Sequence, residues 1–286
     1  MREGLKENAV TLTVNTNSSA LSVLQALNNT NEALTQAQTR IATGHDINVA
    51  ADNPTVYAAA QQQKADISAL GTVTDGLNRA QSISDVAVSA GQTISDLLNQ
   101  MKAKALSASE PGLDSASRSA YNSDFQALLS SVQQAVSSAS FGNANLLNGS
   151  TTSGIKFMST ADGTGFVTLS AQNLSIGGPN ITVPANADIS TLTKATAVLA
   201  ELASSITNVN SAVATIGSQS DQITAHASFV TKLSDTLTIG AGNLIDTDEA
   251  AESARLTALQ VQQQLGVQSL SIANQTPSII LSLLKG

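Results

Sequence analysis

Two long segments near the ends of this chain contain no charged residue. Asp, Glu, Lys and Arg are all absent between Asn8 and Asn31, and again between Leu256 and Leu284. A helix exposed to water normally carries charges on its outer face, but the polar residues here are Asn, Gln, Ser and Thr. Burying an uncharged polar face against protein costs far less than burying an ion. The two segments therefore favour helices packed on every side in an assembly. The alternative is a pair of weakly polar helices, or disordered tails, exposed at the chain ends.

The apolar residues of both segments repeat at heptad spacing. In the N-terminal segment, one series starts at Ala20 and another at Val23. In the C-terminal segment, the corresponding series start at Ala258 and Leu259. Heptads of this kind are typical of coiled coils, so we predict that the two segments form helices that pair. The candidate assembly residues are Ala20, Val23, Leu24, Leu27, Leu34, Ile41, Leu259, Leu265, Ile272, Ile279, Ile280, Leu283 and Leu284.

The interior of the chain contains more helical patterns and one stretch of different character. Between Phe141 and Ser190 glycine is frequent and Thr, Val and Ile alternate with polar residues, which predicts short strands and hairpins. The fold class is therefore mainly α, a long helical hairpin or bundle with coiled-coil terminal helices and a small β insert. Helices are predicted at about 17–42, 55–107, 114–140, 190–237 and 246–284, with a break at Gly240–Gly242. The chain is predicted to divide into five segments. These are an N-terminal helix (1–44), a first central helical part (45–140), the β insert (141–190), a second central helical part (191–242) and a C-terminal helix (243–286).

Composition argues against several classes of function. A net charge of −8 disfavours a nucleic-acid partner, since a phosphate backbone requires clustered Lys and Arg. The longest apolar cluster, Ile279–Leu284, is far shorter than the roughly 18–20 residues that span a bilayer, and no cleavable secretory signal follows Met1. We therefore predict no membrane partner.

The sequence also gives no indication of a catalytic, cofactor or metal site. Two His and no Cys leave no zinc ligand set, and no phosphate-loop motif occurs. Gly71, Gly76 and Gly91 are instead interpreted as close-packing points between helices. The carboxylate pair Asp248 and Glu252 is expected to be solvated. The prediction is therefore no catalytic residue, no cofactor and no metal.

Five characteristic blocks of sequence follow one another along the chain. The N-terminal blocks are Val14-Asn15-Thr16-Asn17, Arg40-Ile41-Ala42-Thr43-Gly44 with the following Ile47-Asn48, and Leu77-Asn78-Arg79-Ala80-Gln81-Ser82. The later blocks are Phe141-Gly142-Asn143 with Leu146-Leu147-Asn148-Gly149, and Ala273-Asn274-Gln275-Thr276-Pro277 with Leu281-Ser282-Leu283-Leu284. Together, in this order, they resemble the bacterial flagellins. The sequence departs from the pattern of that family at Met1–Val10, at Asp52-Asn53-Pro54 and at the final Lys285-Gly286.

The resemblance implies a structural subunit that polymerises into the flagellar filament for swimming motility. Its two terminal helices would meet in the filament core, and the short insert would replace the large outer domains of longer flagellins. The implied location is extracellular, in the flagellum, after export through the flagellar type III apparatus. The implied partners are other copies of the chain or other flagellins, an export chaperone, and the hook–filament junction and cap proteins.

Three other functions are weighed against a filament subunit. A hook–filament junction protein shares the terminal helices but is not expected to form long filaments alone. A surface adhesin requires an exposed aromatic platform, and only Phe157 and Phe166 lie between Gly149 and Ser190. An enzyme built on the insert is disfavoured, because residues 141–190 contain no His and are too few for an active site.

Overall fold

The computed structural model describes residues 16–284, with side chains as far as Gln275. This part of the chain is mainly helical, as the sequence predicts. Its elements are α1 (Ser18–Thr43), α2 (Pro54–Ala108), α3 (Ser115–Ser138), β1 (Ser140–Phe141), β2 (Ala144–Asn145), β3 (Ile155–Met158), β4 (Phe166–Leu169), α4 (Leu192–Ile245) and α5 (Glu249–Leu284).

The chain divides into two compact units. The terminal unit contains residues up to 62 and from 239 onward, and therefore α1 and α5. The central unit contains residues 63–238, and therefore α3, the strands and most of α2 and α4.

Helix α1 begins and ends at the residues that its capping chemistry specifies. The side chain of Asn17 accepts a hydrogen bond from the backbone N–H of Ala20, which satisfies one free donor of the first turn. At the other end, Gly44 adopts a left-handed conformation (φ 74°), and its N–H donates to the carbonyl of Arg40. This conformation suits glycine because it has no Cβ. The predicted helix over Asn17–Ala42 is confirmed.

The core of the central unit lies where α2, α3 and α4 pack together. Its largest fully buried side chains include Leu77, Ile94, Leu98, Met101, Phe125, Leu146, Leu147, Leu169, Leu174 and Ile181. Gly91 of α2 is a point of close approach to α4, since a Cβ placed there would lie 2.5 Å from Cγ2 of Val213. The same interpretation is wrong for Gly71 and Gly76, where a Cβ would meet no atom within 4 Å.

The insert after α3 contains two small antiparallel hairpins, as predicted. Strand β1 pairs with β2, and β3 pairs with β4 in a register that places Ile155 opposite Leu169 and Met158 opposite Phe166. Residues 170–190 form no named strand, yet Ile181 and Ile189 are fully buried there. Buried apolar side chains, together with hydrogen bonds to α3 and α4, therefore hold this part of the insert in place without a sheet.

The predicted break at Gly240–Gly242 is wrong, because α4 continues without interruption to Ile245. Glycine inside a helix costs only about 1 kcal/mol relative to alanine, and the burial of Ala241 and Ile245 on this last turn opposes that cost. The next helix begins at Glu249, slightly later than predicted. Asp248 caps it by accepting hydrogen bonds from the N–H groups of Ala250 and Ala251.

Candidate assembly surface

Helices α1 and α5 pack against each other in antiparallel orientation. Two polar contacts far apart in sequence fix this direction. Nδ2 of Asn17 donates to the carbonyl of Ala273 (2.7 Å), and Nε2 of Gln263 donates to Oδ1 of Asn31 (2.6 Å). Each contact uses an uncharged amide, so the polar groups are satisfied without burying an ion.

The residues that α1 and α5 turn towards each other form a heptad seam on each helix. On α1 these positions are buried or half-buried, with Thr30 and Ala37 the most buried. The α1 seam is Ala20, Val23, Leu27, Thr30, Leu34, Ala37 and Ile41, and the α5 seam is Glu252, Leu256, Leu259, Gln263, Gly266, Leu270 and Ala273. Gly266 permits close approach, since a Cβ there would lie 3.2 Å from Cδ1 of Leu27.

The structure separates the residues predicted for assembly into two groups. Six lie on the seam, namely Ala20, Val23, Leu27, Leu34, Ile41 and Leu259. Three point away from it, namely Leu24, Leu265 and Ile272, which are 43%, 63% and 59% exposed. The remaining four, Ile279, Ile280, Leu283 and Leu284, lie outside the described side chains.

Both helices expose large apolar residues away from the seam. Besides Leu24, Leu265 and Ile272, these are Leu21 (58%), Val261 (51%) and Val267 (55%). Single exposed apolar residues are common on soluble proteins, but several on two adjacent helices mark interaction surfaces. Because charged residues are absent from both segments as well, the exposed sides of α1 and α5 are suited to burial against further protein. We call these six residues together the outer apolar face.

The loop after α1 is tied to the end of α4 by backbone and side-chain contacts. The N–H of Asp46 donates to the carbonyl of Ile245, and the N–H of Thr247 donates to the carbonyl of Gly44 (2.9 Å). Nδ1 of His45 lies 3.0 Å from Oδ1 of Asp246. His45 is therefore a structural contact within the terminal unit, as expected for a histidine far from any other ligand.

A second set of interactions holds the same loop against α1. Nη1 of Arg40 lies 2.8 Å from Oδ1 of Asp46. Asp52 folds back and accepts hydrogen bonds from the N–H groups of Val49 and Asn48, which lower the pKa of its carboxyl group. These residues border an open groove of about 690 Å³ beside α1, which is lined by polar side chains together with Ala33 and Val49.

Glu252 is a feature that the sequence did not reveal. The expectation that it is solvated is wrong, since it is only 7% exposed and its Oε1 has no hydrogen-bond partner among the described residues. Its nearest cation is Arg255, with Nη1 3.8 Å from Oε2. The heptad register could have identified this position, because Glu252 lies seven residues before the seam residue Leu259.

The described residues contain no arrangement typical of a metal site and no membrane-spanning helix. Within residues 16–275, no three His, Asp or Glu side chains are grouped so that they could hold a metal ion. Among the helices described, none is both long and apolar enough to cross a membrane.

Comparison with known proteins gives consistent matches along nearly the whole chain. The family described as the bacterial flagellin N-terminal helical region matches residues 14–152, and the bacterial flagellin C-terminal helical region matches residues 199–284. Flagellin FljJ of Caulobacter vibrioides is 45% identical over 279 residues, which cover 96% of this chain and 99% of that protein. Flagellin FljM of the same organism is 44% identical, covering 95% and 98%. A flagellin of Brucella melitensis is 35% identical, also covering 95% and 98%.

Proposed function

The chain belongs to the bacterial flagellin family, and we propose that its subunits polymerise through the outer apolar face of α1 and α5. As a flagellin, it is a structural subunit of the extracellular flagellar filament. The further proposal concerns which surfaces of this chain make the polymer and which partners handle the subunit before assembly.

The observation that carries the proposal is the exposure of Leu265 and Ile272 on the part of α5 after Leu256, which has no charged residue. Each is about three-fifths exposed, although α5 already packs against α1 through its opposite side. Burying a leucine or isoleucine fully is worth about 1.5–3 kcal/mol relative to leaving it exposed. Most of that stabilisation is unused in the isolated subunit and becomes available when another copy covers the helix.

The functional division follows from this role. Segments 1–44 and 243–286 supply the filament core, and the helical segments 45–140 and 191–242 surround it. The short segment 141–190 takes the place of the outer domains of longer flagellins. Ile279, Ile280, Leu283 and Leu284 continue the apolar pattern of α5 and are proposed to extend the same contact.

The remaining parts of the proposal concern export and chemistry. An export chaperone would cover the apolar helices before secretion through the type III apparatus, and the hook–filament junction and cap proteins would contact the two ends of the polymer. We propose no catalytic activity, since the family is structural and the insert of this chain has no His.

A polymerisation assay tests the proposal directly. Purified subunits are mixed with short filament fragments as seeds and imaged by electron microscopy. The proposed function predicts long filaments, whereas a hook–filament junction protein would add to ends without elongating. A chain lacking residues 273–286 should remain soluble and helical but fail to elongate. Filaments of normal length from that truncation would contradict a core role for the C-terminal helix.

A further inference from the structure

Three of the five phenylalanines in this chain lie at the surface of the described structure. Phe141, Phe166 and Phe229 are 41%, 54% and 58% exposed, in a chain that has no Trp and only 2% aromatic residues. Aromatic side chains are enriched in the buried centres of protein interfaces. Phe166 differs from the other two because its cross-strand partner, Met158, is also exposed (46%).

The outward side of the β3–β4 hairpin therefore forms a small apolar projection. Side chains alternate along a strand, so Phe157 is buried while its neighbours Lys156 and Met158 are exposed. Cross-strand partners share one face of a hairpin, which places Phe166 beside Met158. Lys156 makes no ion pair within residues 16–275. We call Lys156, Met158 and Phe166 the hairpin knob.

The same unit has a shallow, open groove of about 500 Å³ between α2 and α3. Small and apolar side chains line most of it, with an acidic residue among them. The lining includes Val86, Ser89, Ala90, Ala135, Ala139 and the carboxylate of Asp85. Asp85 is exposed and accepts a hydrogen bond from Nε2 of Gln81 (3.0 Å), and it has no cationic partner among the described residues.

The hairpin knob lies at a different level of the unit from this groove. Helices α2 and α4 are antiparallel, because Gln81 contacts Ser220 while Ser95 contacts Asn210. The end of the hairpin lies beside His226, whose Nε2 is 2.8 Å from the carbonyl of Ser159. If the same pairing continues along the two helices, the residue of α2 that is level with His226 lies roughly 14 residues from the centre of the groove. At 1.5 Å per residue, this is roughly 20 Å along the axis of α2. The knob and the groove of one chain are therefore available to different neighbours.

We propose that the hairpin knob of one subunit docks in the α2–α3 groove of a second copy of this chain. Met158 and Phe166 contact the alanines of the groove, and Lys156 pairs with Asp85. The knob and the groove are different patches of one chain, so the contact is heterologous and repeats from copy to copy. Such a contact generates an open helical polymer. The inference rests on the proposed function, because it specifies a second contact within the same filament.

Charge reversal tests the pairing of Lys156 with Asp85. Lys156→Glu and Asp85→Lys are each expected to lower the elongation rate of seeded filaments about tenfold, since opposed charges then become like charges. The double variant restores the attraction with inverted sign and should elongate at nearly the rate of the unchanged protein. Thermal unfolding of each monomer checks that the central unit is still folded.

The outcomes separate the docking proposal from the function itself. If the unchanged protein forms filaments but both single reversals elongate normally, the docking proposal is overturned while the filament role stands. Slow single variants without recovery in the double variant would also overturn the pairing. If the unchanged protein forms no filaments under any condition, the function is in doubt.

Covalent trapping provides a second measurement that does not depend on rates. The chain has no cysteine, so a Met158→Cys, Ser89→Cys variant carries one thiol on the knob and one in the groove. Oxidised filaments should dissolve into a ladder of covalently linked copies. The matched control pairs Met158→Cys with Gln133→Cys, an exposed position of α3 that does not line the groove. Monomers from the first variant, or equal ladders from both, would contradict the docking.

Discussion

Replacing Leu265 with alanine should weaken polymerisation while leaving the monomer intact. Leu265 is 63% exposed and lies away from the α1–α5 seam, so its truncation removes little packing from the isolated subunit. Full burial of leucine is worth about 1.5–3 kcal/mol. Because Leu265 is about three-fifths exposed in the subunit, about 1–2 kcal/mol of this is gained only on assembly. That loss corresponds to a critical concentration raised about five- to thirtyfold.

The assay measures the monomer that remains in solution after seeded growth reaches completion. Gln264→Ala is the matched control, because Gln264 is an exposed polar neighbour on the same helix. Leu259→Ala provides a contrast, since Leu259 lies on the seam and its truncation should also lower the unfolding temperature of the monomer. An unchanged critical concentration for Leu265→Ala would refute the assignment of the outer apolar face.

Four other predictions concern the stability of the subunit, alone or in the filament. Gly91→Ala should destabilise it by about 1–3 kcal/mol, because the added Cβ would lie 2.5 Å from Cγ2 of Val213. Gly71→Ala, with open space around the new Cβ, should instead stabilise it by up to about 1 kcal/mol in denaturant titrations. The pKa of Asp188 is lowered to about 2, chiefly by the hydrogen bond from Lys194. Its contribution to stability is therefore present above the ordinary carboxyl pKa and is lost as the pH falls towards 2. Asp188→Asn should flatten thermal unfolding against pH in this range, and an unchanged profile would exclude the contribution. Finally, the amides of α1 and α5 should exchange quickly in the monomer and slowly in the filament, since few of their side chains are buried in the subunit. Equal protection in both states would contradict this.

The sequence was most informative where one physical constraint decided the structure. Helix α1 has a single heptad stripe between a capping Asn17 and a terminating Gly44, so both its ends and its inward face could be predicted. Helix α5 is different because two heptad series of apolar residues run along it, one on the seam and one exposed. Leu259 and Leu265 both belong to heptad series, and the pattern alone does not distinguish pairing within the chain from pairing between chains. Gly266 identifies the series of Leu259 as the one that packs against α1, because only a small residue at this position allows Leu27 to approach.

Errors arose where tertiary contacts outweighed local propensity. Glycines at 240 and 242 predicted a break, yet the buried Ala241 and the contacts made by Ile245 with the loop after α1 keep α4 continuous. Glu252 was expected to be solvated like most carboxylates on a helix. It is buried because it lies in the seam between α1 and α5. The α2–α3 groove could not be predicted, since it depends on how two segments distant in the chain meet.

The central claim is that the outer apolar face is covered by other copies of the chain. The most direct measurement is the structure of a filament grown from the purified protein, determined by electron cryo-microscopy with side chains visible on α5. The account predicts that Leu265 and Ile272, which are exposed in the subunit, lose nearly all contact with water against neighbouring subunits. A filament in which both residues still face solvent would contradict it.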